Sequence, residues 1–212
     1  MRCDREGALP ALPGLNPHAE GPQQFAERRF PLQAFEFSIL NWIQLHCRSG
    51  FLDAVLPAVS RICDHGEVWI VLAMLLLAFR KTRRIGLTLS VALLLDVMCC
   101  NMILKPLVGR VRPCDVNTAV KLLIARPLDA SFPSGHTAVS FAAVCALWAE
   151  RSRLWMPALA LALLLAFSRL YLYVHWPSDV LAGAVLGGLL GLAARPLAAA
   201  LERRFSHGIK KT

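Results

Sequence analysis

The chain has 212 residues, of which 56% are hydrophobic and only 17% charged, and it carries a net charge of +9. Soluble domains hold about 45–50% apolar and about 25% charged residues, so this balance argues against a soluble globular domain and against intrinsic disorder. The 8% of aromatic residues form no basic-aromatic stripe, which argues against nucleic acid as the partner of the positive charge.

Residues 1–30 contain several Pro and Gly, no periodicity and no continuous apolar run of a signal peptide. They read as a disordered tail. Residues 33–46 place Phe37, Leu40, Ile43 and Leu45 among polar neighbours, as in an amphipathic helix, and residues 51–63 form a second apolar stretch interrupted by Pro57. The pair reads either as an interfacial helix followed by a short span or as one kinked crossing. Five apolar stretches follow, at 68–79, 85–104, 137–149, 154–174 and 180–201. Those at 85–104 and 154–174 meet the length of about 20 residues that a spanning helix needs, whereas 68–79 and 137–149 need flanking residues as well. The expected fold is therefore all-α: a polytopic membrane helix bundle with about six membrane helices, the first interfacial or kinked. A membrane-embedded domain over residues 31–202 is followed by a short basic tail over 203–212.

The seven cysteines are odd in number and form no CxxC pair, so neither a disulfide framework nor a zinc site is expected. Basic residues gather in three places: Arg80, Lys81, Arg83 and Arg84; Arg151 and Arg153; and Arg203, Arg204, Lys210 and Lys211. Threading the five stretches alternately puts all three clusters on one side, which the positive-inside rule makes cytoplasmic. The C-terminus is then cytoplasmic. The opposite side receives residues 64–67, the long connection 105–136 and the turn 175–179.

On that opposite side three segments carry chemistry. The first runs from Lys105 to Arg112-Pro113, the second is Pro133-Ser134-Gly135-His136, and the third runs from Ser168-Arg169 through His175 to Asp179. Lys105, Arg112 and Arg169 are cations suited to a phosphate, the arginines as bidentate forks and the lysine as a point charge. Arg169 interrupts an apolar run, where an ionisable residue is costly and functional by default. Ser134-Gly135 precede a helix whose N-terminal N–H groups favour an anion. Asp179 follows His175 by four residues, a spacing that lets a carboxylate hold one ring nitrogen and free the other. His136 supplies a second group for proton transfer. Asp96 and Asn101, inside the second stretch, read as polar contacts between helices. Asp64, His65 and Glu67 lie on the same side as the three segments, with no mechanistic signature in their spacing.

Together the segments resemble the three-part signature of the type 2 phosphatidic acid phosphatase superfamily, which also contains vanadium-dependent haloperoxidases. The pattern is Lys, six residues, Arg-Pro; then Pro-Ser-Gly-His; then Ser-Arg, five residues, His, three residues, Asp, and every defining position is filled. The resemblance covers about residues 50–200. It implies that His175 is the nucleophile forming a phosphohistidine, that Asp179 orients it, and that His136 is the general acid and then the base. It further implies that Lys105, Arg112, Arg169, Ser134 and Gly135 hold the phosphate, with no metal or other cofactor. The run from His175 to Gly188 is similar to bacterial members that dephosphorylate undecaprenyl diphosphate. Phosphatidylglycerophosphate or phosphatidic acid phosphatases share the motifs, as do lipid A phosphatases; a haloperoxidase or a non-catalytic lipid transporter are the readings from other classes. The implied setting is the plasma membrane, with the site facing the extracytoplasmic side and a lipid phosphate as partner.

Overall fold

The apolar stretches fold into helices that pack side by side, and every regular element among the described residues is helical. The computed structural model describes residues 31–64 and 66–209. The expected tail at 1–30, together with His65, Lys210 and Lys211, lies outside the described residues.

Helices α1 (Pro31–His46) and α2 (Gly50–Ile62) meet at a break at residues 47–49. Ser49 makes the break by capping α2, its hydroxyl accepting the Leu52 N–H at 3.3 Å. Leu40 and Ile43 of α1 turn inward, while Phe35, Trp42 and Leu45 stay exposed. Helices α3 (Glu67–Ala78) and α4 (Arg83–Asp96) form a tight hairpin. Its closeness depends on Gly86, where a Cβ would lie 2.7 Å from the Leu77 nitrogen.

Without a break α4 passes into a π-helical stretch, Val97–Leu104, and then into the short α5 (Lys105–Val108). Gly109, at a φ of 57°, adopts the left-handed conformation that ends a helix and turns the chain toward α6 (Pro113–Val116). An irregular connection leads to α7 (Gly135–Ala149), followed by α8 (Trp155–Tyr171) and α9 (Pro177–Ile209). At 33 residues α9 is longer than the expected apolar stretch at 180–201. Beyond residue 201 it carries on through Glu202, Arg203 and Arg204, which are good helix formers.

Two helical runs, Arg83–Val116 and Pro177–Arg204, are long and apolar enough to cross a membrane by themselves, while α3, α7 and α8 are apolar but shorter, at 12, 15 and 17 residues. The expected count of about six membrane helices is thus not reached on length alone. Large apolar side chains point outward on α3 (Ile70, Met74), on the π-helical stretch (Met98, Met102) and on α9 (Leu181, Val185, Leu189). Such a surface suits lipid rather than water.

Helix α7 is the central element, and its approach to α9 sets the site. Gly183, Gly187 and Gly191 recur every fourth residue and form one stripe on α9. A Cβ on Gly183 would lie 2.7 Å from the Ser134 carbonyl, and on Gly187 and Gly191 closer still to the carbonyls of Ala138 and Ala142. Small residues of this kind let two helix backbones touch. The contact brings the N-terminus of α7, with Ser134 and Gly135, against the start of α9, with His175 and Asp179. At the far end of the bundle Glu150 gathers α4, α7 and α9: Thr88 donates to it at 3.1 Å, and Arg84 and Arg195 lie 3.4 and 3.6 Å away.

Candidate active site

Six of the eight residues singled out in the sequence (Lys105, Arg112, Gly135, His136, Arg169 and His175) line one cavity of about 940 Å³. The other two, Ser134 and Asp179, are fully buried behind its wall. The Ser134 N–H donates to the Asp179 carbonyl at 3.1 Å, which joins the starts of α7 and α9. The Ser134 hydroxyl pairs with that of Thr137 at 3.0 Å.

His175 sits just ahead of α9. Its Nδ1 is 2.8 Å from the Ser131 carbonyl oxygen and 3.7 Å from Asp179 Oδ2. The spacing of four residues does bring Asp179 alongside the ring, but the hydrogen bond goes to Ser131, because the carboxylate is already engaged. Asp179 accepts from Ser131 Oγ at 2.5 Å, from the Trp176 N–H at 2.9 Å and from Arg110 Nη1 at 2.6 Å. A carbonyl only accepts, so Nδ1 carries the proton and Nε2 presents its lone pair. Nε2 lies 3.2 Å from Arg112 Nη1 at the cavity wall. Burial pushes the His175 pKa down to about 4, against the raising effect of Asp179 and with the help of Arg112 and Arg169.

Arg112 is buried and saturated. It donates to the carbonyls of Asp129 and Val174 at 2.9 and 2.7 Å, and to Asp129 Oδ1 at 2.7 Å. Lys105 pairs with the other oxygen of the same carboxylate, Oδ2. Burial works against the Asp129 carboxylate, but Lys105 and Arg112 more than offset it and hold its pKa at about 2. Asp129 therefore bridges two of the three cations that the sequence assigns to phosphate. Nothing local signals it; it is one acid in an irregular connection.

Arg169, near the end of α8, is 3% exposed. It hydrogen-bonds Ser60 Oγ through Nη1, while its Nε has no partner. A buried N–H of this kind, beside the cavity, is a donor in want of an acceptor. His136, the second residue of α7, has Nε2 3.3 Å from the Ser60 carbonyl, 3.2 Å from Asp64 Oδ1 and 3.5 Å from Arg169 Nη1. Asp64, which had no signature in the sequence, is thus a partner of His136. A Cβ on Gly135 would lie 3.6 Å from Lys105 Nζ, so the backbone at the start of α7 runs close to the ammonium. Asp96 and Asn101 also line this cavity, and Asp96 Oδ1 is buried without a partner, so the expected helix-to-helix contact is not made through that atom. Among the described residues no group of His, Cys, Asp and Glu is arranged to hold a metal ion.

The arrangement joins cations, a deprotonated imidazole nitrogen and a second histidine around one cavity. The sequence model of the PAP2 superfamily matches residues 85–202. The chain belongs to the PAP2 superfamily. It is 38% identical, over 71% of each chain, to an undecaprenyl-diphosphatase from Sulfolobus acidocaldarius. It is 33% identical to a decaprenylphosphoryl-5-phosphoribose phosphatase from Mycobacterium tuberculosis, over 68% of this chain and 78% of the relative. Among solved structures, Aquifex aeolicus LpxE superposes with a TM-score of 0.64 at 27% identity, covering 78% of this chain and 94% of that one. The chain is accordingly a PAP2 membrane protein and a lipid phosphatase, and the all-α fold expected from its sequence is the one observed.

Proposed function

We propose that this PAP2 phosphatase hydrolyses a lipid phosphate or diphosphate through a phosphohistidine on His175, with undecaprenyl diphosphate as its foremost substrate. The observation that carries the reading is the His175 ring: Nδ1 is fixed 2.8 Å from the Ser131 carbonyl, and Nε2 faces the cavity beside Arg112. The substrate assignment rests on the likeness to the Sulfolobus acidocaldarius diphosphatase.

In the first step His175 Nε2 attacks phosphorus, the N–P bond forms and the bond to the leaving oxygen breaks. Protonated His136 gives its proton to that oxygen, and Asp64, 3.2 Å away, favours the protonated form. In the second step neutral His136 takes a proton from water, the water oxygen attacks phosphorus, and the N–P bond breaks to release phosphate. Lys105, Arg112 and Arg169, with the Gly135 backbone, stabilise the equatorial oxygens throughout. To reach Lys105 and Arg112 the phosphate displaces the Asp129 carboxylate. With these cations the reaction needs no metal ion.

Orientation follows from charge. The site lies at the end of α4 that leads to Lys105, opposite the end where Arg84 and Arg195 surround Glu150. Placing the basic end in the cytoplasm turns the site to the extracytoplasmic face.

The test is phosphate release by purified protein in EDTA. Its arms are undecaprenyl diphosphate, phosphatidylglycerophosphate, phosphatidate and diacylglycerol diphosphate. The reading predicts turnover without added metal and the highest kcat/KM for undecaprenyl diphosphate. Strict magnesium dependence, or preference for another lipid, contradicts it.

A further inference from the structure

Behind the nucleophile lies a chain of charges, buried at both carboxylates and part-exposed at Arg110, that reaches out of the matched region into α1. Glu36 of α1 is 2% exposed. Its Oε2 lies 2.5 Å from Arg110 Nη2, and Arg110 Nη1 lies 2.6 Å from Asp179 Oδ1. The other Glu36 oxygen accepts from the Ser178 N–H at 3.0 Å and from Ser178 Oγ at 2.5 Å. Arg110 also stacks over Trp176, 5.1 Å from the ring centre, and its carbonyl accepts the Ser131 N–H at 2.8 Å. Ser131 is the residue whose carbonyl holds His175 Nδ1. One guanidinium is thus shared by two carboxylates, and its backbone anchors the residue that sets the tautomer.

We infer that Glu36 is a positioning residue for the His175–Asp179 pair, acting through Arg110 by charge as well as by geometry; this rests on His175 being the nucleophile. Glu36, Arg110 and Asp179 sum to one negative charge beside a neutral imidazole. When Nε2 bonds to phosphorus and Nδ1 keeps its proton, the ring gains one positive charge. The network then goes from minus one to zero. Without the Glu36 charge, Arg110 neutralises Asp179 by itself, and the same step leaves an uncompensated positive charge in a buried site. The cations proposed to hold the phosphate, Lys105, Arg112 and Arg169, bond to Asp129, Val174 and Ser60 and not through Glu36 or Arg110, so the loss falls on the chemical step.

The experiment measures kcat and KM for wild type, Glu36→Gln and Glu36→Gln/Arg110→Gln. The double variant restores the net charge of minus one. Glu36→Gln should lose about ten-fold or more in kcat with KM within about two-fold. The double variant should recover part of that loss. Vanadate-dependent thermal stabilisation reports that each variant folds. Wild-type kcat in folded Glu36→Gln overturns the inference, and so does a double variant slower than Glu36→Gln, as a purely structural role requires. If Glu36→Gln does not fold, the double variant decides: kcat within about ten-fold of wild type supports the charge role, and a larger loss at unchanged KM overturns it. His175→Ala separates the two claims. Turnover in that variant removes the nucleophile assignment, whereas its loss alongside wild-type kcat in Glu36→Gln removes only the role of Glu36.

Discussion

Asp129 Oδ1 lies 2.7 Å from Arg112 Nη2, and the other oxygen of the same carboxylate pairs with Lys105. An internal anion therefore occupies two of the cations proposed to hold phosphate. Its pKa of about 2 lies below its ordinary 3.8, so it stays ionised at any working pH, and its contribution to stability is lost only as pH falls from about 4 through 2. As a hypothesis, Asp129→Asn should bind vanadate several-fold more tightly across pH 5–8, since the charge no longer competes. Inhibition constants check this. Weaker vanadate binding in a folded variant would show that Asp129 serves only to position the cations.

The pKa of His175, lowered to about 4 from 6.5, makes a second prediction. Between those values the unfolded chain binds a proton that the folded one refuses, so stability falls as pH drops from about 6.5 toward 4. His175→Asn should flatten that dependence. Melting temperatures in detergent at pH 4.5 and 7 measure it, and an unchanged slope in the variant would place the acid sensitivity elsewhere.

If Asp64 favours protonated His136, then Asp64→Asn should move the alkaline limb of the kcat profile to lower pH. A neutral amide supports the imidazolium less than a carboxylate 3.2 Å away. The limb staying in place would remove Asp64 from the proton transfer.

The glycine stripe of α9 predicts a packing failure rather than a chemical one. A side chain at Gly187 meets the Ala138 carbonyl of α7. Gly187→Val should cost about 3 kcal/mol or more, the upper range of overpacking, and should lower activity by parting Ser134 from Asp179. A variant with wild-type thermal stability would show that α7 and α9 have room to spare.

Much of this molecule was legible in its sequence, for definite reasons. Hydrophobic runs with at most one charge each marked the all-α membrane character, and the three segments named six residues that do line one cavity. The position of Asp179 beside His175 followed from their separation of four residues, which a tight turn at the start of α9 closes. The hydrogen bond to Ser131 did not, because it depends on which donors had already claimed the carboxylate. The roles of Asp129, Asp64, Arg110 and Glu36 were not legible for a related reason: each reaches its partner from a connection or another helix, and no local period marks such a contact. Arg110 and Ser131 each stand within three residues of a motif position, the nearest thing to a signal. Apolarity marks only part of α9, because Glu202, Arg203 and Arg204 sustain the helix past its apolar stretch.

The central claim is that His175 Nε2 carries the phosphoryl group. The most direct measurement is acid-stable versus alkali-stable trapping of radiolabelled phosphate on the protein during turnover, with the labelled residue mapped. The account predicts an acid-labile, alkali-stable label on His175 that is absent from His175→Ala, together with loss of phosphate release. Phosphate release by His175→Ala at a rate near that of wild type would contradict it.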